Sequence, residues 1–193
     1  MNPNVEILES KVLSNNWYTL KKFTFNYLKK NGIWQTQIRE SYDRGNGAAI
    51  LLYNTKDKTV ILTRQFRLPT YINGNDDGMM IECCAGLLDN DDPVDCIRKE
   101  ALEETGYEIK NVRKLFEAYM SPGAVTEILH YFIGEYDEQM KVNEGGGLDH
   151  EQEEIEVLEL DFKEAYHMIE TGVIKDAKTI LLLQYAKIHN LVN

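Results

Sequence analysis

Residues 85–109 read AGLLDNDDPVDCIRKEALEETGYEI, and this stretch gives the strongest structural signal in the chain. Glu100, Glu103 and Glu104 lie within five residues of one another. In a helix, residues three or four apart are neighbours, and a like-charged pair at that spacing costs about 0.2–0.5 kcal/mol. The stretch therefore predicts a helix that gathers carboxylates at a local energetic cost.

The boundaries of this helix are marked by residues suited to helix ends. Asp92 is a suitable N-cap, Pro93 suits the first helical position, and Gly106 suits the C-terminal end. At about 100° per residue, an apolar face forms that can pack on a sheet. That face comprises Val94, Ile97, Ala101 and Leu102. The three glutamates then share the flank beside it.

Two explanations of the acidic flank remain open at this point. It is either a solvated acidic face or part of a metal site. A buried strand and a glycine-containing loop come directly before the helix and would bring backbone to the same place. Proteins hold Mg²⁺ through one or two carboxylates, with waters and substrate phosphates as the other ligands. A bound cation would relieve the repulsion within the helix.

Composition limits the classes of protein to consider. The chain has 193 residues and 43% hydrophobic residues, enough for one sizeable core, and its net charge of −11 argues against a broad nucleic-acid or anionic-membrane surface. Its three cysteines form no disulfide framework or paired zinc motif, so we expect small buried thiols. Neither a membrane span nor a signal peptide is evident. We expect a soluble cytoplasmic protein.

The order of sequence patterns predicts a mixed α/β fold of the α+β type. Residues 5–42 read as a small antiparallel meander, and a more apolar hairpin follows it. GMMIECCAGLL, residues 78–88, reads as a buried strand that runs into a glycine-containing loop, and the acidic helix follows it. Three further strands and two tail helices follow, with a helix stop at Gly172. We expect helices laid against a largely antiparallel or mixed sheet.

The acidic stretch resembles the Nudix box, G-x5-E-x7-R-E-U-x-E-E-x-G-U, where U is apolar. The matching positions are Gly86, Glu100, Ala101, Glu103, Glu104, Gly106 and Tyr107. It departs from the box in three ways: Asp92 replaces the first glutamate, the next spacer is one residue shorter, and Lys99 replaces the arginine. The shorter spacer resembles the GDP-mannose pyrophosphatase branch of the Nudix family. RQFR, YMSPG and KT-LLL extend the similarity along the chain.

The resemblance implies a Nudix fold, a mixed sheet sandwiched between helices, with an extra N-terminal meander. It implies metal ligands at Ala85 (through its carbonyl), Glu100, Glu103, Glu104 and Glu153. Catalytic residues are implied at Glu151, Glu153 and Glu104, with Glu151 as the proton acceptor. These positions in the acidic loop, EQEEI at residues 151–155, follow from counting back from Ile155, and the loop is two residues longer than expected for the branch.

The resemblance also implies residues that contact the substrate. They are Trp17, Arg39, Arg67, Gly86, Glu127 and Lys178. Arginine and lysine suit a diphosphate, and a tryptophan offers a flat face to a guanine base. Without the resemblance, Trp17 would read as a strand aromatic and Lys178 as a solvated helix residue.

From the resemblance we expect a Mg²⁺- or Mn²⁺-dependent enzyme that hydrolyses GDP-mannose to GMP and mannose 1-phosphate. The alternatives are a broader nucleotide-sugar or ADP-ribose pyrophosphatase, and a non-catalytic ligand-sensing module. Residues 1–42 would form N-terminal strands for dimerisation and substrate contact, and residues 43–193 the Nudix hydrolase domain. A homodimer is expected, whose sites borrow Trp17 and Arg39 from the partner.

Overall fold

The computed structural model describes residues 2–148 and 152–192. In chain order the strands and helices are β1 (Val5–Asn15), β2 (Thr19–Leu28), β3 (Trp34–Asp43), β4 (Gly47–Asn54), β5 (Thr59–Phe66), α1 (Leu68–Ile72), β6 (Met79–Glu82), β7 (Cys84–Leu87), α2 (Pro93–Thr105), β8 (Val112–Tyr119), β9 (Ile128–Glu135), a 3₁₀ turn (Glu138–Met140), β10 (Glu156–Asp161), α3 (Phe162–Glu170) and α4 (Ala177–Ile188). The mixed α/β class predicted from the sequence is confirmed.

The chain divides into two compact units. The first comprises the residues up to Asn46 together with Tyr119–Ile128, and the second comprises Gly47–Ala118 and the chain from Leu129 onwards. No helix among the described residues is both long and apolar enough to cross a membrane.

The first unit is built on a three-stranded antiparallel sheet in the order β1-β2-β3. This is the meander predicted from residues 5–42. Tyr42, at the end of β3, donates its N–H to the carbonyl of Ala124 at 2.8 Å and accepts from Thr126 N at 3.1 Å, so the segment 119–128 is held against the sheet. A cavity of about 600 Å³ lies between the sheet and this segment.

The second unit contains a seven-stranded sheet in the order β10-β5-β4-β9-β8, with β6 paired to β5 and β7 paired to β4. The pairing of β4 with β9 is parallel, while β4 and β5 form the predicted antiparallel hairpin, so the sheet is mixed. Ile50 and Leu52 share a buried cluster with Ile97 and Ala101 of α2. Because strand side chains alternate, Leu51 points to the opposite face, where α4 contacts β4.

The buried strand expected in residues 78–88 is present as β6, but a second short strand, β7, lies where a glycine-containing loop was expected. The chain leaves the strand pattern at Cys83, so that β6 pairs with β5 and β7 pairs with β4. An apolar run does not reveal such a change of partner, because both halves are buried. This change places Glu82 and Ala85 beside two different strands.

The predicted helix α2 and both of its caps are confirmed. Asp92 accepts a hydrogen bond from Val94 N at 2.9 Å. Gly106 has φ of +80°, and a Cβ there would lie 2.1 Å from the carbonyl oxygen of Asn143, so only glycine suits this position. Leu102, expected on the packed face, is only half-buried.

The remaining local expectations divide between confirmed and missed features. Gly172, with φ of +74°, follows the last turn of α3 as predicted. The three cysteines are free and buried, which confirms that expectation. The short helix α1 and the 3₁₀ turn were not predicted, because segments of five and three residues carry too little periodicity.

Candidate active site

The acidic flank of α2 is not a uniform solvated face. Glu104 is 2% exposed, whereas Glu100 and Glu103 are half-buried. Glu103 pairs with Lys99, with 3.5 Å between Nζ and Oε2. The Glu104 carboxylate accepts the backbone N–H of Ala85 at 3.3 Å and the thiol of Cys84. The helix therefore buries one of its carboxylates against β7.

Glu104 has a strongly perturbed proton affinity. Burial, together with the negative charges of Glu100 and Glu153, raises the pKa of Glu104 from 4.5 to about 8, although hydrogen bonds from Cys84 and Ala85 oppose the rise. The charge repulsion expected from the sequence is therefore present in the fold. A nearby cation would favour the ionised form.

Gly86 allows α2 to approach β7 closely. A Cβ at Gly86 would lie 2.1 Å from both Cδ and Oε1 of Glu100. The Glu100 carboxylate thus lies directly on the backbone of β7, next to Ala85. A side chain at Gly86 would displace Glu100, which explains why this position in β7 requires glycine.

The glycine run of residues 145–147 docks the acidic loop on the C-terminal end of α2. Gly146 donates its N–H to the carbonyl of Glu104 at 2.9 Å, and Gly147 donates to the carbonyl of Glu103 at 3.1 Å. These carbonyls lie in the last turn of α2, where intrahelical donors run out. All three glycines have positive φ, between +68° and +108°, which permits this path.

The docked loop brings Glu153 to the site. Its Oε2 accepts the backbone N–H of Leu148 at 3.2 Å, and its charge acts on Glu104. Glu153 is half-buried while Glu154 is exposed. Glu151, expected to be the proton acceptor, lies outside the described residues.

Two of the expected substrate-binding cations lie together in the second unit. Arg67 contacts the carboxylate of Glu82 through Nε at 3.0 Å and Nη2 at 2.7 Å. Lys178 contacts the other oxygen of Glu82 at 3.3 Å and Asp176 at 2.8 Å. Burial lowers the pKa of Arg67, but the charges of Glu82, Glu104 and Asp176 outweigh it and leave that pKa raised. Arg67 therefore lies within electrostatic reach of Glu104 in α2.

The other expected substrate residues belong to the first unit. Trp17 lies in the β1–β2 turn, is 82% exposed, and meets Tyr18 edge to face. Arg39 is exposed on β3 and donates to the carbonyl of Ile38 at 2.7 Å. Glu127 pairs with Arg44 at 3.5 Å and is largely buried. The roles of these residues stay predictions.

Sequence reasoning missed Glu82 and Cys84. Both lie in the apolar run of residues 78–88, and a charged residue in such a run is buried only when it is paired. Glu82 is the single charged residue in that run, so the sequence did indicate a buried carboxylate with a cationic partner. Cys84 was expected to be a small buried hydrophobe, but its thiol also donates to Glu104. The sequence carried no signal for that contact.

The residues present fit a hard divalent cation. Carboxylate oxygens are its preferred ligands, and burial together with the negative charges of Glu100 and Glu153 raises the pKa of Glu104, which a cation would oppose. Within residues 2–148 and 152–192, no three acidic, histidine or cysteine side chains already surround one point. Backbone carbonyl, water and substrate oxygens would thus complete the coordination shell of an ion bound here, as is usual for Mg²⁺.

The raised pKa of Glu104 predicts a pH dependence of stability in metal-free protein. Because the folded-state pKa of about 8 exceeds the unfolded value of 4.5, stability is fully present below pH 4.5 and is lost as pH rises through 8. The loss is at most about 5 kcal/mol. Thermal unfolding in chelator between pH 5 and 8 should show a steeper fall for the wild type than for Glu104→Gln. Asp95→Asn, an exposed change on the same helix, should keep the wild-type slope; parallel profiles for all three would contradict the assignment.

Comparison with known families identifies the class of protein. The NUDIX domain model matches residues 43–183, and the model described as GDP-mannose pyrophosphatase NudK N-terminal domain matches residues 4–42. The chain therefore belongs to the Nudix family and is a Nudix hydrolase, as the acidic helix indicated. Nudix hydrolases generally use a divalent metal ion.

Individual relatives are similar over their full length. The chain is 59% identical over 192 residues to the GDP-mannose pyrophosphatase of Yersinia enterocolitica, covering 100% of both chains. It is 60% identical over 186 residues to that of Pectobacterium atrosepticum, covering 96% of this chain and 95% of the relative. It is 56% identical over 193 residues to that of Escherichia coli K12, covering 100% of both.

A solved structure supports the fold alone. The crystal structure of an ADP compounds hydrolase superposes with a TM-score of 0.71 at 17% identity, covering 98% of this chain and 97% of that one. At this identity the likeness says nothing about the substrate of this chain.

Proposed function

We propose that this protein is a Mg²⁺-dependent hydrolase that splits GDP-mannose into GMP and mannose 1-phosphate, with Mn²⁺ as an alternative ion. The observation that carries the proposal is the pair of Glu100 and Glu104, which pack against Gly86 and Ala85, with Glu104 within electrostatic reach of Arg67. Carboxylates with a cation nearby suit a metal-bound diphosphate. The full-length relatives named GDP-mannose pyrophosphatase support the choice of substrate.

In the proposed mechanism, Glu100 and Glu104 would hold the ion, with Ala85 through its carbonyl and with Glu103 and Glu153 as further ligands. When bound, the ion neutralises diphosphate charge and lowers the pKa of a water. Arg67 binds phosphate oxygens in a bidentate way, and Lys178 adds a point charge.

Proton transfer completes the proposed reaction. Glu151 takes one proton as the water oxygen bonds to phosphorus and the bridging P–O bond breaks. The electron pair of that bond leaves with the second phosphate. One product is GMP and the other is mannose 1-phosphate.

Incubation with a panel of nucleotide sugars tests the proposed function. We expect Mg²⁺-dependent release of GMP and mannose 1-phosphate from GDP-mannose, and slower turnover of GDP-glucose, ADP-mannose and ADP-ribose. Equal turnover across the panel would indicate a broader nucleotide-sugar pyrophosphatase. Absence of turnover with every substrate would indicate a ligand-sensing module.

We further propose that residues 1–42 form a dimerisation and substrate-contact domain, joined to the hydrolase domain of residues 43–193 in a cytoplasmic homodimer. Trp17 and Arg39 of each subunit would then contact the guanine nucleotide bound by the other. Support comes from apolar side chains that the N-terminal strands leave exposed, including Ile7 at 57%, Val12 at 53% and Ile38 at 56%. A second copy could cover them. The free cysteines suit a reducing compartment.

Subunit mixing should reveal whether the proposed sites are shared. Arg39→Ala and Glu104→Gln are each expected to be nearly inactive alone. A hybrid dimer would hold one site with both residues intact, so random exchange should restore up to about a quarter of wild-type activity. Activity is measured after subunit exchange, which differently tagged subunits can demonstrate. Exchange without recovery would contradict sharing of Arg39.

A further inference from the structure

Glu82 occupies an unusual position for a carboxylate. It ends β6 and is 5% exposed, and its two oxygens receive two different cations. Oε2 accepts from Nε and Nη2 of Arg67, and Oε1 lies 3.3 Å from Nζ of Lys178. Because Arg67 follows β5 and Lys178 lies in the first turn of α4, this one side chain links residues distant in sequence.

The lysine side of this arrangement is anchored independently. Asp176 contacts Lys178 with one oxygen at 2.8 Å and caps α4 with the other, which accepts Thr179 N at 2.9 Å. The hydroxyl of Thr179 accepts the backbone N–H of Cys83 at 2.7 Å. The start of α4 is therefore fastened to the residue that follows Glu82, which leaves Lys178 little freedom to move.

The carboxylates of this cluster balance its two cations, but they do not occupy all the N–H donors of those cations. Burial raises the pKa of Glu82, but Lys178 and Arg67 outweigh it and leave that pKa lowered, so the carboxylate is ionised. An ammonium carries three donors, and two anionic oxygens contact Lys178. The Arg67 side chain keeps 40% exposure, although two of its nitrogens bind Glu82. Both cations thus have donor capacity left for a further anion.

We infer that Glu82 is a positioning residue, which holds Arg67 and Lys178 side by side so that their remaining donors bind the diphosphate of the substrate. This inference rests on the proposed function. Glu82 acts through the two cations and does not touch the substrate. It orients them before binding, which lowers the cost of ordering two long side chains when the diphosphate arrives.

Glu82→Gln removes the charge and gives the side chain an NH₂ group, which opposes one of the two cations. We expect a higher KM for GDP-mannose and a loss of about 10²-fold in kcat/KM, the effect that a misplacement of about 1 Å can have. The Mg²⁺ concentration for half-maximal rate should stay unchanged. A general loss of order in the site would instead change both the KM for GDP-mannose and the Mg²⁺ concentration for half-maximal rate. Glu82→Asp, which keeps the charge, should lose less than Glu82→Gln.

Matched variants keep the test decisive if Glu82→Gln fails to fold. Asp176→Asn retains a helix cap but removes one anion from Lys178, and it should raise KM in the same way. Glu156→Gln breaks the 3.2 Å pair with Arg64, whose exposure of 39% matches that of Arg67, and it should leave KM at the wild-type value. A KM that is equal in wild type, Glu82→Gln, Glu82→Asp and Asp176→Asn would overturn the inference.

A binding measurement separates this inference from the proposed function. GDP serves as a diphosphate probe in chelator, where metal-dependent turnover is absent, and its dissociation constant is measured by calorimetry. We expect weaker binding to Glu82→Gln and Asp176→Asn than to the wild type. If the wild type does not hydrolyse GDP-mannose, the proposed function fails and the GDP titration alone decides. Equal affinity, including no binding to any of the proteins, overturns the role of Glu82.

Discussion

Glu104→Gln is expected to lower the turnover of GDP-mannose by about 10²–10³-fold at saturating Mg²⁺, because it removes the charge of a proposed metal ligand, and a bound ion would supply several kcal/mol of electrostatic stabilisation. Glu100→Gln should behave similarly. Neither change should unfold the protein. In Glu104→Gln, the buried position loses a charge that burial and the negative charges of Glu100 and Glu153 already disfavour.

Steady-state kinetics over a range of Mg²⁺ concentrations, with thermal unfolding of the same samples, checks this expectation. Asp95→Asn is the matched control, because it makes the same loss of charge on the same helix at a side chain that is 75% exposed. Its turnover should equal that of the wild type. A Glu104→Gln variant that keeps the wild-type rate, or that unfolds, would contradict the proposal that Glu104 is a metal ligand.

The second large effect concerns the acidic loop. Glu151→Gln is expected to lower kcat by about 10²–10⁴-fold, the contribution of a general base, with little change in metal affinity. Glu153→Gln should instead raise the Mg²⁺ concentration needed, because Glu153 lies close enough to Glu104 to raise its pKa and would share the ion. Glu154→Gln should be nearly silent, because Glu154 is exposed.

A Mg²⁺ titration of the three variants separates the roles of base and ligand. Loss of kcat at saturating metal identifies the base, and recovery at high metal identifies a ligand. Glu154→Gln is the internal control, since it makes the same chemical change in the same loop. If Glu154→Gln is the most damaged variant, the register counted from Ile155 is wrong.

Local features of this protein could be predicted because their causes lie within a few residues of sequence. The caps of α2 are one example: an N-cap side chain bonds to the backbone two residues on, and Gly106 is required by its own backbone angle. The meander and the β4–β5 hairpin likewise follow from alternation and turns. The acidic flank of α2 was visible for the same reason, since helical geometry places residues three and four apart together.

The tertiary structure alone decided which of these residues share an environment. Helical spacing put three glutamates on one flank of α2, but only packing against β7 buried Glu104 and raised its pKa. The change of strand at Cys83 and the contact of Glu82 with Lys178 join residues far apart in the chain. Such contacts depend on which strands pair, and strand pairing is set by the burial of the whole sheet, which no short stretch of sequence encodes.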